Sequence, residues 1–309
     1  MAPPLITRPT FLPLRLTRQH ALFGFICVVW GLNWAAMKIG VTAVPPGFFS
    51  GTRWTLAGLV LLIWQRGRGN SIRIPLRLLP RLIWLSMLLI PINATIMLYG
   101  LRLIGSGLAA VINSALTPIG LFVLAVAYGQ ERFSWRQAGG IALGIFGILL
   151  LFGPRAMAGQ LQMAEVLGAL GVIVGNLSYC LGTVLSRPLM RQLPPVLMAA
   201  STNFAGGVIM LVLSLAFEPG VGVAMQGDWG WPAWLSWGFM VLFGSLGATI
   251  FYFFLVRDWG ASRTGTYAFV SPVIAVSVGI VFLGERTDMV EMLGMAVMLA
   301  AAALVLWRN

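Results

Sequence analysis

Long apolar runs constrain this chain more than any other feature of its sequence. Ten stretches, near residues 21–40, 47–65, 82–101, 106–128, 135–153, 163–186, 196–217, 234–256, 264–284 and 289–307, carry few charges. Each is close to the roughly 20 residues an α-helix needs to cross about 30 Å of hydrocarbon. Backbone amides have no water to bond there, so each run must satisfy its own hydrogen bonds as a helix. The expected fold is an all-α integral membrane protein of ten transmembrane helices. Composition agrees: 59% of the residues are hydrophobic and 9% charged, where a soluble domain carries about 25% charged. A formal charge of +12 would suggest nucleic acid in a soluble protein. Here the basic residues, all arginine except Lys38, are scattered between apolar runs without an aromatic-interleaved stripe, so no nucleic-acid partner is expected.

Orientation follows from the tendency of basic loops to stay in the cytoplasm. With the N-terminus inside, every lysine and arginine except Lys38, Arg53, Arg102, Arg155 and Arg286 falls on the inner side, and Glu165, Glu218, Asp228, Glu285, Asp288 and Glu291 sort outward. Residues 1–20 read as a cytoplasmic tail feeding an uncleaved first helix, and an even helix count returns the C-terminus to the same side. Trp64, Trp84, Trp135, Trp259 and Trp307 mark one headgroup belt, and Trp229, Trp231, Trp234 and Trp237 the other. Only Trp30, Trp34 and Trp54 are left at hydrocarbon depth. The localisation expected is a bacterial-type inner membrane, with the lipid bilayer as obligatory partner and a monomer sufficient.

The two halves of the chain repeat one another. Thr117-Pro118, Glu131-Arg132 and Gly140 recur at one offset as Ser271-Pro272, Glu285-Arg286 and Gly294, while Trp30 to Pro45-Pro46 matches Tyr179 to Pro194-Pro195 at a second fixed offset. The division is a five-helix repeat over 21–153 and another over 163–307. Five is odd, so the second repeat enters the membrane from the opposite side and the pair is inverted. Such folds place a substrate near the midplane between halves and expose it alternately to the two sides.

Several side chains then stand out as substrate contacts. Trp30, Asn33, Trp34 and Met37 share a face of the first helix, offering two rings, an amide and a thioether. Asn93, Asn113, Thr117, Asn176, Tyr179, Tyr267 and Ser271 are polar groups at apolar depth, which must face either neighbouring helices or a wet cavity. Pro91, Pro118 and Pro272 each free the carbonyl one turn back and act as kinks or gates. Gly140, Gly144 and Gly147, like Gly168, Gly171 and Gly175, have the spacing of helix-packing contacts. Arg53 and Lys38 could hold a substrate carboxylate, but both lie close enough to the outer surface that snorkelling is the expectation. No acid or imidazole lies at mid-membrane depth in the sequence, so facilitated export rather than proton coupling is expected. With one histidine and two cysteines inside apolar runs, neither a metal site nor a disulfide framework is expected.

The segments Ser114-Ala115-Leu116-Thr117-Pro118, Tyr128-Gly129-Gln130-Glu131-Arg132-Phe133-Ser134 and Gln137-Ala138-Gly139-Gly140, echoed by Ser271-Pro272 and Leu283-Gly284-Glu285-Arg286, resemble the signature of the EamA family of drug/metabolite transporters. Gln130 departs from the Gly-Glu usual there. The aromatic-rich Trp30-Gly31-Leu32-Asn33-Trp34 is similar to the first helix of amino-acid exporters in that family. The resemblance implies export of small metabolites, amino acids or amphipathic drugs. The expected function is therefore a secondary transporter exporting aromatic and other apolar amino acids, with a multidrug exporter of aromatic cations as alternative. A channel is the second alternative. An enzyme is the third and is not expected, because no Ser/His/Asp set, metal cluster or phosphate loop is present in the sequence. No cofactor is implied. Accessibility tagging at both chain ends should place them on the same cytoplasmic face; ends on opposite faces would exclude the inverted pair.

Overall fold

A computed structural model describes residues 18–103, 106–156, 163–283 and 289–306, and every regular element among them is helical. Arg8, Arg15, Glu285, Arg286, Asp288, Trp307 and Arg308 lie outside the described residues. The principal helices are α1 (Arg18–Ala43), α2 (Pro46–Gly67), α3, α4 (Ser106–Ala127), α5 (Trp135–Ala156), α6 (Met163–Leu189), α7 (Pro195–Phe217), α8, α9 (Tyr267–Leu283) and α10 (Met289–Leu306). Two are composite. Helix α3 runs as Leu79–Met87, a π-helical segment Leu88–Ile92 and Asn93–Leu103; α8 runs as Trp231–Phe239, a π-helical segment Met240–Ala248 and Thr249–Trp259. By length and composition α1, α2, α3, α6, α7 and α8 can each cross a membrane, and shorter apolar helices cover Ile112–Ala127, Trp135–Leu150 and Met292–Leu306.

Local sequence sets the boundaries. The repeated proline pairs open α2 and α7: Pro45 and Pro194 are extended, at φ −52°, ψ 129° and φ −59°, ψ 144°. A residue preceding proline is kept out of the helical region, and Pro46 and Pro195 occupy a first helical position that needs no N–H. Two amides at the start of α2, Gly47 N and Phe48 N, donate to the Glu218 carboxylate at 3.0 Å each. That carboxylate also accepts from the Ser214 hydroxyl. An acid at a helix N-terminus fills two orphan donors and meets the positive end of the dipole. Glu218 thereby ties the segment after α7 across the mouth of α2.

Packing follows the internal repeat. The most extensive contacts pair α2 with α7 and α5 with α10; α6 lies against α3 and α4, and α1 against α8 and α9. Exchanging the halves carries each of these pairings onto itself or onto another. Individual bonds obey the same relation. Asn176 on α6 donates to the Thr117 hydroxyl on α4 at 2.7 Å, and the equivalent Ser271 on α9 donates to the Cys27 carbonyl on α1 at 3.2 Å. The offset carrying Thr117 onto Ser271 carries residues 88–92 onto 242–246, inside the second π segment. Pro91 lies in the first of these segments, whereas Pro118 and Pro272 sit within uninterrupted α-helix.

Small residues permit the closest approaches. A Cβ on Gly58 would lie 2.2 Å from Phe204 N, and one on Gly207 would lie 2.3 Å from Thr55 N, so α2 and α7 touch backbone to backbone. Gly171 likewise faces Gly100, and Gly147 faces the Gly294 carbonyl. The tryptophan belt needs one correction. Trp231 and Trp234 are exposed, but Trp229 is buried, stacks on Trp234 at 4.1 Å and packs on Phe48 and Phe49, because residues 218–237 fold back over the ends of α1 and α2. Gly207→Ala should lower thermal stability in detergent by about 1–3 kcal/mol through overpacking. Gly24→Ala, whose Cβ would meet nothing within 4 Å, should be neutral or stabilise by up to about 1 kcal/mol. Equal melting temperatures for Gly207→Ala and wild type would mean that α2 and α7 are not held at backbone contact.

Candidate functional site

A cavity of about 260 Å³ lies between the two halves, lined from both: α1, α2, α3 and α4 on one side, α6, α7, α8 and α9 on the other. Its walls differ in chemistry. One is aromatic. The Trp30 ring sits 4.4 Å from Tyr267 and 5.1 Å from Tyr252, centroid to centroid, and Tyr179 stacks on Tyr252 at 6.0 Å. Their hydroxyls are linked, Tyr267 Oη donating to Tyr179 Oη at 3.4 Å and Tyr252 Oη lying 3.0 Å from Thr183 Oγ1. Rings in edge and offset contact form a stiff slot whose faces attract apolar groups and cations.

The second wall is an amide cluster. Asn176 Nδ2 donates to Asn113 Oδ1 at 2.8 Å and to Thr117 Oγ1 at 2.7 Å, while Thr117 Oγ1 donates to the Asn113 carbonyl at 2.8 Å. Cys180 Sγ reaches Asn176 Oδ1 at 3.4 Å. These groups are largely satisfied by one another, so they fix α4 against α6. Elsewhere in the lining, and within the second half, Asn203 Nδ2 donates to the Ser245 carbonyl at 2.8 Å.

The third wall is unsatisfied. Six buried side-chain atoms have no hydrogen-bond partner among the described residues, and three of them, Asn33 Oδ1, Arg53 Nε and Ser245 Oγ, belong to residues that line this cavity. Buried polar groups are almost always paired, because leaving one unmade costs about 1–3 kcal/mol. Half of the unpaired atoms thus belong to residues around one void. Gly244 sits against Asn33, where a Cβ would come 3.1 Å from Nδ2; its place in the π segment of α8 lets α1 approach there.

Most of the residues expected from sequence converge here. Trp30, Asn33, Met37, Asn93, Asn113, Thr117, Asn176, Tyr179 and Tyr267 all line the cavity. Ser271 instead bonds to α1 through the Cys27 carbonyl, and the Trp34 and Lys38 side chains lie outside the described residues. None of Pro91, Pro118 and Pro272 lines the void, although the neighbours Leu89 and Ile90 do.

Arg53 corrects the expectation of snorkelling: it is 5% exposed and lines the cavity, its guanidinium carbon 4.4 Å from the Trp54 ring centroid. Tyr252, Asn203, Thr202 and Trp54 also line it and were not among the expected contacts. Tyr252 and Asn203 carried a usable signal, a polar group inside an apolar run of the kind that flagged Asn176.

Comparison with known proteins places this geometry in context. A sequence profile for the EamA-like transporter family matches residues 20–153 and again residues 166–307. The chain is 29% identical to an uncharacterized inner membrane transporter, YedA, of Escherichia coli strain K12 over 94% of this chain and 92% of that protein. It is 26% identical to an uncharacterized transporter, YoaV, of Bacillus subtilis over 87% of this chain and 90% of that one. A solved crystal structure shares the fold, with a TM-score of 0.77 at 19% identity, covering 93% of this chain and 96% of the other.

The bonding pattern separates two asparagines. Asn176→Ala strands the acceptors on Asn113 and Thr117 and should cost about 1–3 kcal/mol of stability. Asn33→Ala removes an oxygen with no partner and should cost under about 1 kcal/mol. Thermal melts in detergent check both; a larger loss for Asn33→Ala would show that its amide is structural.

Proposed function

The chain belongs to the EamA-like transporter family, and from that premise we propose that it exports small amphipathic solutes, aromatic and other apolar amino acids foremost, from the cytoplasm across the inner membrane. One observation carries this reading: a cavity between the halves brings an aromatic cluster and unpaired polar groups together in one lining. A zwitterionic amino acid presents the matching pair, an apolar side chain for Trp30, Tyr252 and Tyr267 and a polar end for Asn33 and its neighbours. A cavity of about 260 Å³ suits a small solute.

Alternating access is the mechanism we infer. Ten crossings arranged as an inverted pair, both termini inside, give two bundles that can exchange roles. The π segments of α3 and α8 supply the yielding points. A wider helical turn leaves backbone groups less tightly committed, and such segments recur where helices serve function. Leu89 and Ile90 of the first and Gly244 and Ser245 of the second touch the cavity directly, so bending at either changes the void itself. No carboxylate or imidazole is among the described residues that line it, and the sequence places none at mid-membrane depth, which supports movement down the solute gradient without an obligatory proton carrier.

An aromatic cation fits less well. The ring slot would accept it, but Arg53 lines the same void and repels positive charge. Purified protein in liposomes should catalyse saturable counterflow of labelled phenylalanine or tryptophan, slowed about tenfold or more by Trp30→Ala. Absence of counterflow for every aromatic and apolar amino acid would refute the substrate class. Counterflow unchanged by Trp30→Ala and Asn33→Ala would place the substrate elsewhere.

A further inference from the structure

Among the described residues Arg53 is the one charged side chain in the cavity wall, and no carboxylate among them answers its charge. It lies seven residues inside α2, about 10 Å from the helix start at 1.5 Å per residue. An arginine at such depth ordinarily snorkels or meets a carboxylate. Snorkelling is blocked, because Glu218 and Trp229 close over the start of α2 and Trp237 Nε1 donates to Thr52 Oγ1 at 3.2 Å beside it. Among the described residues no carboxylate pairs with Arg53, and its Nε is buried without an acceptor. The Trp54 ring, its centroid 4.4 Å from the guanidinium carbon, offers a π face but no lone-pair acceptor for the N–H donors. The charge itself stays, since a guanidinium is not deprotonated in proteins.

We propose that Arg53 holds the carboxylate of the transported solute, so that the substrates are carboxylates with an apolar body rather than organic cations or neutral drugs. The assignment rests on the transport reading above for the cavity's being the substrate site. A planar fork of donors matches a carboxylate in a bidentate pair. One cation balances one negative charge, so a monoanion or zwitterion is selected over a dianionic phosphate.

The layout also sets the orientation of the solute. Helices α1 and α2 are joined by Val44 and Pro45, a connection short enough to run them antiparallel, although α1 packs on α8 and α9 and α2 on α7. Counting from their joined ends, Arg53 comes level with Ala36, next to Met37, and Trp30 lies about 9 Å further along α1. A carboxylate at the Met37 level then directs its apolar body into the slot of Trp30, Tyr252 and Tyr267.

The test uses the full chain in detergent and three probes that share a ring: L-phenylalanine, 3-phenylpropionate, which lacks the ammonium, and phenethylamine, which lacks the carboxylate. Melting temperature against probe concentration gives apparent affinities, since a ligand of the folded state stabilises it. Wild type should be stabilised by both carboxylates and not by the amine. Arg53→Gln should lose the carboxylate response by tenfold or more in affinity while melting cooperatively, and Arg53→Lys, which keeps the charge but not the fork, should fall between.

Undiminished carboxylate affinity in folded Arg53→Gln overturns the assignment. So does stabilisation of wild type by phenethylamine alone, or by no carboxylate. Should Arg53→Gln fail to fold, Arg53→Lys decides, unchanged affinity there being the overturning result. If phenylpropionate binds through Arg53 while phenylalanine neither binds nor exchanges in liposomes, the amino-acid reading fails and the carboxylate assignment stands.

Discussion

Everything in this protein depends on the cost of leaving a polar group unpaired in hydrocarbon. Lipid offers neither donors nor acceptors, so each spanning segment must close its own backbone ladder. The chain obeys this almost throughout. Half of the unpaired side-chain atoms among the described residues belong to one place. Both π segments, the amide cluster of Asn113, Thr117 and Asn176, and three unpaired side-chain atoms lie around one cavity between the halves. A constraint that punishes polarity elsewhere makes its concentration here informative, because such groups persist where they pair across helices or where a solute or water can reach them.

Duplication explains how a cavity arises from helices that are each mostly apolar. Self-equivalent helices α2 and α7 touch backbone to backbone through Gly58 and Gly207, and α5 lies along α10. Those two seams hold the halves together. The remaining pairings, α1 with α8 and α9 and α6 with α3 and α4, build matching walls. Chemistry has diverged where architecture has not. The contact made by Ser271 with the Cys27 carbonyl is made on the other half by Thr117 with the Asn176 amide. Trp30 and Tyr179, equivalent by repeat, now belong to the same aromatic slot from opposite sides.

Much of the site was legible residue by residue because hydrocarbon depth makes polarity conspicuous. An asparagine in the middle of an apolar run, such as Asn33, Asn113 or Asn176, has few places to go other than a partner or a void. Tyr252 and Asn203 obey the same reasoning on α8 and α7. Arg53 was not legible. Its distance from the helix start allows snorkelling on an isolated helix, and only the fold of residues 218–237 over that end removes the route. Trp229 was misplaced for the same reason: a tryptophan near a helix end reads as a headgroup anchor until a neighbour is known to cover it.

The order of the helices, their approximate ends, the proline pairs that start α2 and α7, and the internal repeat were all settled by sequence. Each rests on local physics, the length of an apolar run or the fixed φ of proline, that needs no knowledge of neighbours. Tertiary structure alone decided which polar groups find partners. Asn176 is satisfied and Asn33 Oδ1 is not, Ser271 bonds across to a backbone carbonyl of α1 while Thr117 bonds across to a side-chain amide of α6, and Arg53 turns inward. Pairing is a property of two surfaces meeting across the bundle, and no spacing within one helix encodes what the next helix brings to it.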